Sequence, residues 1–257
     1  MMIQKSKKSN STTKLKYPCY FSKYNSIQIP TYKDQYQFDM LDPRRNANFN
    51  GSGNDQLKPN SLKVTISQHD LTKVDTESYE MSLKSIVVHP EYTCNKARND
   101  IAILELENEV SWTESVTPAC LPVDDSEKSY STFHNNLATV AGWGWTNEER
   151  GKGKRAVVLQ KADVNVIETE KCRSWYKSQG KKTKIQESQI CAGHENGGID
   201  ACWADSGGPL MIGSGSKDQM MVVGVVSTGI GCARPHLPGL YTRVSTYIPW
   251  IKEVIGK

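Results

Sequence analysis

From Leu57 onward, apolar and polar residues alternate in short runs separated by turn residues. The runs are Leu62–Ile66, Ser85–Val88, Ile101–Leu106, Leu137–Val140, Val157–Leu159, Asp163–Ile167, Pro209–Ile212, Met221–Val226 and Gly239–Val244. A period of two buries one face of a strand, and many short strands with no helical pattern between them predict an all-β sandwich or barrel. The exception is Thr246–Ile255, where Tyr247, Ile248, Ile251, Val254 and Ile255 fall at helical spacing and predict a terminal helix. Residues 1–56 show neither period. Rich in Lys, Asn, Ser, Gln and Tyr, and broken by turns at Asp42-Pro-Arg-Arg-Asn and Gly51-Ser-Gly-Asn, they are expected to be poorly ordered and are assigned to no domain. No segment repeats.

A chain of 257 residues with 37% hydrophobic and 23% charged residues is globular, and suits one large all-β domain or two small ones. The formal net charge of +4 is uneven. Residues 1–56 carry nine Lys/Arg against four Asp, a surplus of five, which leaves 23 against 24, or −1, for the remainder. Basic residues spread through a tail imply a solvated extension and not a nucleic-acid stripe, so nucleic acid is not expected as a partner. No stretch approaches the roughly 20 apolar residues of a membrane span, and Met1–Asn10 lacks the apolar segment of an export signal. Seven cysteines point the other way, toward an oxidising, extracellular compartment. The cysteines are given the greater weight, and a secreted protein is expected.

The most specific chemistry lies in Asp200-Ala-Cys-Trp-Ala-Asp-Ser-Gly-Gly-Pro209, which names Ser206 as a candidate nucleophile. A serine hydroxyl attacks a carbonyl only when a base takes its proton and backbone N–H groups hold the developing oxyanion. Taken singly, Ser206 is also an ordinary turn serine, Asp100 a turn residue before a strand, and Asp200 a solvated loop carboxylate.

From about Leu57 to Lys257 the chain resembles the trypsin-like serine proteases of the chymotrypsin fold. The resemblance rests on nine segments in order: Ser61-Leu-Lys-Val-Thr-Ile-Ser-Gln-His-Asp-Leu71, Val88-His-Pro-Glu-Tyr92, Asn99-Asp-Ile-Ala-Ile-Leu104, Val116-Thr-Pro-Ala-Cys-Leu-Pro122, Ala141-Gly-Trp-Gly144, Gln189-Ile-Cys-Ala-Gly193, the Ser206 segment, Gly224-Val-Val-Ser227 and Pro238-Gly-Leu-Tyr-Thr-Arg-Val244. In its details it looks closest to arthropod members, including the venom and CUB-domain type. The resemblance implies two packed antiparallel β-barrels and a C-terminal helix. Residues 57–123 would form a partial first barrel, and 137–257 the second barrel and helix.

The resemblance also assigns roles. Ser206 matches the nucleophile and Asp100 the aspartate that orients a histidine. Ala204 and Ser206 match the two N–H donors of the oxyanion hole, with Ala204 standing where the family usually has glycine. Its methyl restricts φ, and loss of one such donor adds about 3 kcal/mol to the barrier. Asp200 matches the floor of the primary pocket and Gly229 and Gly239 its walls, which implies cleavage after Arg or Lys. Ser227 matches a residue that bonds the catalytic aspartate and pairs with substrate, and Thr228 replaces a usual aromatic residue. Cys172 with Cys191 and Cys202 with Cys232 match two family disulfides. A third family bridge would join positions that here read Ala138 and Ile212. Cys120 matches a cysteine that tethers an upstream segment, for which Cys19 is the N-terminal candidate. For Cys94, a bond to another segment and a free thiol both stay open.

One part of the pattern is missing. The family histidine lies in an Ala-Ala-His-Cys motif that this sequence lacks, and His69, His89, His134, His194 and His236 fall in other segments. His69 is expected on a surface loop. No Ile-Val-Gly-Gly activation site occurs either, so Asp205, which pairs with the freed amine in relatives, has no designated partner and the oxyanion hole is expected to be disordered. These gaps converge before Leu57, and residues 1–56 are expected to be a foreign start joined to a genuine protease. The acidic residues of the His69–Glu80 loop, Asp70, Asp75, Glu77 and Glu80, are read as solvated charges and not a calcium site, and no metal or cofactor is expected.

Two functions follow as expectations. The first is a secreted trypsin-like endopeptidase lineage acting by acyl-enzyme chemistry on protein or peptide substrates, and inhibited by serpin-type proteins. As this sequence stands it would be inactive or nearly so. The second is a non-catalytic homologue acting as an extracellular binding or cofactor protein.

Overall fold

The computed structural model describes residues 58–73, 77–93, 97–122, 132–149, 151–213 and 220–256, together with the backbone of Met2–Ile3 and Ile27–Gln28. Cys19, Cys94 and Asp75 lie outside these residues. Eleven strands and two α-helices are defined: β1 Met2–Ile3, β2 Ile27–Gln28, β3 Lys63–Ile66, β4 Tyr79–Val88, β5 Ala102–Leu106, β6 Leu137–Gly142, β7 Gln160–Ile167, α1 Thr169–Ser178, β8 Gln189–Gly193, β9 Pro209–Gly213, β10 Met220–Thr228, β11 Gly239–Arg243 and α2 Ile248–Gly256. The expected all-β architecture is present. An open five-stranded sheet has the order β2-β1-β5-β4-β3, and a closed six-stranded barrel the order β10-β11-β8-β7-β6-β9. No helix among the described residues is long and apolar enough to cross a membrane.

Each layer follows from strand parity. In the first sheet, Val64, Ile66, Met81, Leu83, Leu104 and Leu106 point one way into a shared core, while Lys63–Glu80 and Lys84–Glu105 ion pairs cover the other face. Strand β5 is buried on both faces. Leu104 and Leu106 enter that core, whereas Ile101 and Ile103 enter a second core with Val222, Val225 and the Ile248, Ile251 and Ile255 stripe of α2. The start of β5 is thereby clamped at the seam between sheet and barrel. The barrel interior is filled by Ala138, Val140, Val164, Val166, Ile190, Ala192, Leu210, Val223 and Tyr241. Ala138 packs into this core and the half-buried Ile212 against it, one step along the register that pairs Thr139 with Met211.

Several elements differ from the sequence pattern. Val157–Leu159 is not a strand. Val157 and Val158 are exposed, and their backbone instead ties the loop at 69–71 to the barrel, through Leu71 N–H to Val157 O (2.7 Å) and Leu159 N–H to His69 O (2.8 Å). Strand β4 begins six residues earlier than the apolar run, because charged residues face solvent opposite Met81 and Leu83. Residues 1–56, expected to be without order, contribute β1 and β2, with Met2 paired to Leu104 and Gln28.

The main correction is α1, which was not expected. Only Thr169, Cys172 and Tyr176 are buried along its ten residues, so the apolar stripe is three positions wide and one of them is a disulfide cysteine. Two ties hold it: the Cys172–Cys191 disulfide to β8, and a 2.7 Å hydrogen bond from the buried Tyr176 hydroxyl to Pro238 O, one residue before Gly239. Tyr176→Phe leaves that buried carbonyl unpaired. It should cost about 1–2 kcal/mol and lower the thermal midpoint by about 3 °C, as read by calorimetry.

Candidate active site

Three aspartates are drawn inward, Asp100 before β5 and Asp200 and Asp205 on the segment before β9. Asp100 precedes β5, and its position is fixed from several sides. Thr242 Oγ1 donates to its carbonyl at 2.7 Å, and the neighbouring Asn99 side chain bridges the Tyr247 hydroxyl (2.8 Å) and Glu91 O (2.9 Å). The Ser227 hydroxyl donates to Asp100 Oδ2 at 2.6 Å. Ser227 can turn that way because the β10–β11 register slips between Val226 and Thr228, which leaves it the extra residue of a bulge. Burial pushes the Asp100 carboxyl up, and the Ser227 bond opposes this.

Ser206 is exposed on a tight double turn beside this pair. The turn is held by Asp205 N–H to Cys202 O, Gly208 N–H to Asp205 O and Gly207 N–H to Val226 O, and Val226 precedes Ser227 in the chain. These bonds use the N–H groups of 205, 207 and 208. Among the described residues those of Ala204 and Ser206 meet no acceptor. Two donors are thus left for an incoming oxygen. Ala204 adopts φ 85°, the left-handed conformation that glycine takes without penalty, so the methyl does not divert the backbone but is carried at a cost.

Asp205 corrects an expectation. Its carboxylate has partners: Oδ1 accepts from Gly144 N–H (2.8 Å) and Oδ2 from Cys202 N–H (2.9 Å), and the turn is thereby shaped. A Cβ at Gly144 would lie 2.4 Å from that carboxyl group, so the close approach requires glycine there. Burial raises its pKa, opposed by those two N–H donors and by the Arg155 charge.

Asp200 lies beside Gly239, one of the two glycines expected to wall a slot-like pocket. Oδ1 accepts from Ala201 N–H at 2.8 Å, the N–H groups of Ala233 and Gly239 also bond it, and the Tyr241 hydroxyl stands 3.5 Å away. The two wall positions face each other: a Cβ at Gly229 would come 3.9 Å from Gly239 Cα, and one at Gly239 would come 3.0 Å from Asp200 Oδ1. The Cys202–Cys232 disulfide joins the turn to the wall segment. Burial dominates the four opposing hydrogen bonds and pushes the Asp200 carboxyl up to about 7.

His69 is exposed, and its carbonyl accepts from the Trp143 indole. His89 packs on Tyr247 and Trp250, His194 bonds Asp163 O, and His236 sits by Glu195 and Trp175. Cys120 is disulfide-bonded, to a cysteine outside the described residues. In the His69–Glu80 loop the described acidic groups have protein partners. Asp70 is held down to about 2 by the Thr72 hydroxyl and N–H and by Lys73, Glu77 accepts from Ser115, and Glu80 pairs with Lys63. Thr242, Asn99 and Tyr241 join the site without having been singled out in the sequence, because their roles arise from long-range pairing that no local spacing encodes.

Two outcomes test this geometry. The unfolded chain releases the Asp200 proton near pH 4 and the folded chain near 7, so the folded state binds more protons in between. Stability should therefore fall as pH rises through that window and level off above it. Asp100 and Asp205, raised in the same direction, steepen the fall. Denaturant midpoints for Asp200→Asn should show a shallower slope between pH 4 and 7, and an unchanged slope would contradict the burial. Ala204→Gly should relieve about 1 kcal/mol of backbone strain and raise the thermal midpoint.

Comparison with known proteins agrees with this geometry. The profile of the Trypsin family matches residues 52–251. Serine proteinase stubble of Drosophila melanogaster is 34% identical over 201 residues, 77% of this chain and 24% of that protein. Serine protease filzig of the same organism is 37% identical over 199 residues, 76% of this chain and 11% of that protein. Clotting factor G beta subunit of Tachypleus tridentatus is 32% identical over 197 residues, 76% of this chain and 61% of that protein. The chain therefore spans less than two thirds of the length of each relative. With one closed barrel, an open partner sheet, a terminal helix and this match over most of its length, the chain belongs to the trypsin family of serine proteases.

Proposed function

We propose that this chain carries the acyl-transfer and substrate-binding machinery of an extracellular endopeptidase that cuts after Arg or Lys. The observation that carries the reading is the desolvated carboxylate of Asp200, set beside Gly239 and bonded by no cationic side chain among the described residues. A buried charge without a counter-ion is destabilised, so a guanidinium or ammonium that enters the slot regains several kcal/mol that a neutral side chain does not. Ser206 Oγ would attack the carbonyl of the residue whose side chain fills the slot. The N–H groups of Ala204 and Ser206 would hold the tetrahedral oxyanion, and collapse would release the amine and leave an ester on Ser206 for water to hydrolyse. Full turnover needs a histidine, oriented by the Ser227-held Asp100, to take the Ser206 proton and pass it to the departing amine, and the sequence lacks the motif that carries it in the family. Disulfides at Cys172–Cys191 and Cys202–Cys232 fit an oxidising compartment. Protein inhibitors that present an Arg or Lys to the slot are the expected partners.

The absence of an Ala-Ala-His-Cys segment favours a second reading: none of His69, His89, His134, His194 and His236 lies in such a motif. The chain of this sequence would then hold a cationic side chain in the slot without turning it over, as a non-catalytic binding protein. Both readings share the slot, and they differ at Ser206.

Calorimetric titration of the full chain with benzamidine, a small aromatic amidinium, tests the slot. Affinity should rise with pH to about 7, where the Asp200 carboxyl ionises, and then stay level. Asp200→Ala should weaken it about 100-fold. Absent binding, or binding indifferent to that substitution, would sink the reading. Labelling by a fluorophosphonate, located by peptide mass, separates the two functions: an adduct on Ser206 marks an active nucleophile, and its absence in a chain that binds benzamidine marks the binding protein.

A further inference from the structure

Outside the residues already placed in the site, one cluster joins three segments around the slot. Glu148 lies on the loop after β6. Its carboxylate meets Arg234 as a two-pronged pair, with Nη2 to Oε1 at 2.5 Å and Nε to Oε2 at 2.9 Å. It also accepts the N–H of Cys232. The main-chain carbonyl of Glu148 takes the Trp203 indole N–H at 3.1 Å, and the Trp203 carbonyl takes Trp145 N–H at 2.8 Å. One residue thus grips the loop of 145–149, the Ser206 turn and the slot lip of 231–234.

The chain between is shaped to permit the grip. Gly231 has φ 75°, and a Cβ there would lie 2.3 Å from Glu148 Oε1 and 2.4 Å from Arg234 Nε, so the fork passes directly over a glycine. The N–H of Cys232 points out to Glu148, and the N–H of the next residue, Ala233, points in to Asp200. The two adjacent donors serve opposite sides of one strip of backbone.

We infer that Glu148 and Arg234 are positioning residues, whose fork fixes the lip of 231–234 so that the Ala233 N–H meets the Asp200 carboxylate and the slot keeps its width. They touch neither the cationic guest nor Ser206, and they act through the backbone at 232 and 233. The pair is two-pronged and partly shielded, with Glu148 27% and Arg234 48% exposed, which places it above an ordinary surface ion pair. The inference rests on the slot reading for its functional consequence but not for its structural one.

Benzamidine titration of the full chain should show affinity reduced about fivefold in Glu148→Gln and in Arg234→Ala, with thermal midpoints within about 2 °C of the parent. Arg234→Lys, which keeps the charge and loses the fork, should fall between. The double variant Glu148→Gln with Arg234→Ala should be no weaker than either single one, because both remove the same contact. Affinities within twofold of the parent in both single variants, or losses that multiply in the double, would overturn the inference. Amide exchange separates its failure from that of the slot reading. If the parent binds no benzamidine, the slot reading falls. The fork is then judged by whether the amides of 231–236 exchange faster in Glu148→Gln, as it requires, or at the parent rate, which would refute it.

Discussion

The architecture around Ser206 is governed by the burial of three carboxylates, Asp100, Asp200 and Asp205. Each is lifted above its ordinary pKa by desolvation, and each is held by donors from a different part of the chain. A hydroxyl on a bulge meets Asp100, four hydrogen bonds surround Asp200, and two N–H groups fold the Ser206 turn around Asp205. Such groups are tolerated in an interior only when their lone pairs are satisfied. The demand for donors explains features that would otherwise look incidental: glycines at 144 and 239, the slipped register at Ser227, and the inward N–H of Ala233.

Packing brings the donors to the carboxylates. Strand β5 enters two cores at once, which fixes Asp100 at its start. Helix α2 closes one of those cores, and its entry residue Tyr247 steadies Asn99, the neighbour of Asp100. Helix α1 acts on the slot's far wall, where Tyr176 holds Pro238 beside Gly239. Hydrophobic burial thus sets distances, and the polar contacts convert those distances into a site.

The barrel strands, the terminal helix and the disulfides at Cys172–Cys191 and Cys202–Cys232 were legible in the sequence, because alternation and segment order are local or strongly patterned. Ser206, Asp100 and Asp200 were singled out because each lies in a segment that resembles a family segment, and their roles stay proposals. Helix α1 was not, since three buried positions in ten make too faint a stripe. The partners of Asp205 and the Glu148–Arg234 fork were equally hidden. A contact between residues 86 positions apart leaves no trace in local spacing, and the glycine that makes room for it looks like any turn glycine.

The barrel closes between β6 and β9 through Ala138, Ile212 and their neighbours, with no covalent link across that edge, whereas the lip of the cleft is fastened by sulfur. The edge where the barrel closes therefore rests on packing and backbone pairing alone, and reduction of the sulfur link at the lip would leave that edge untouched.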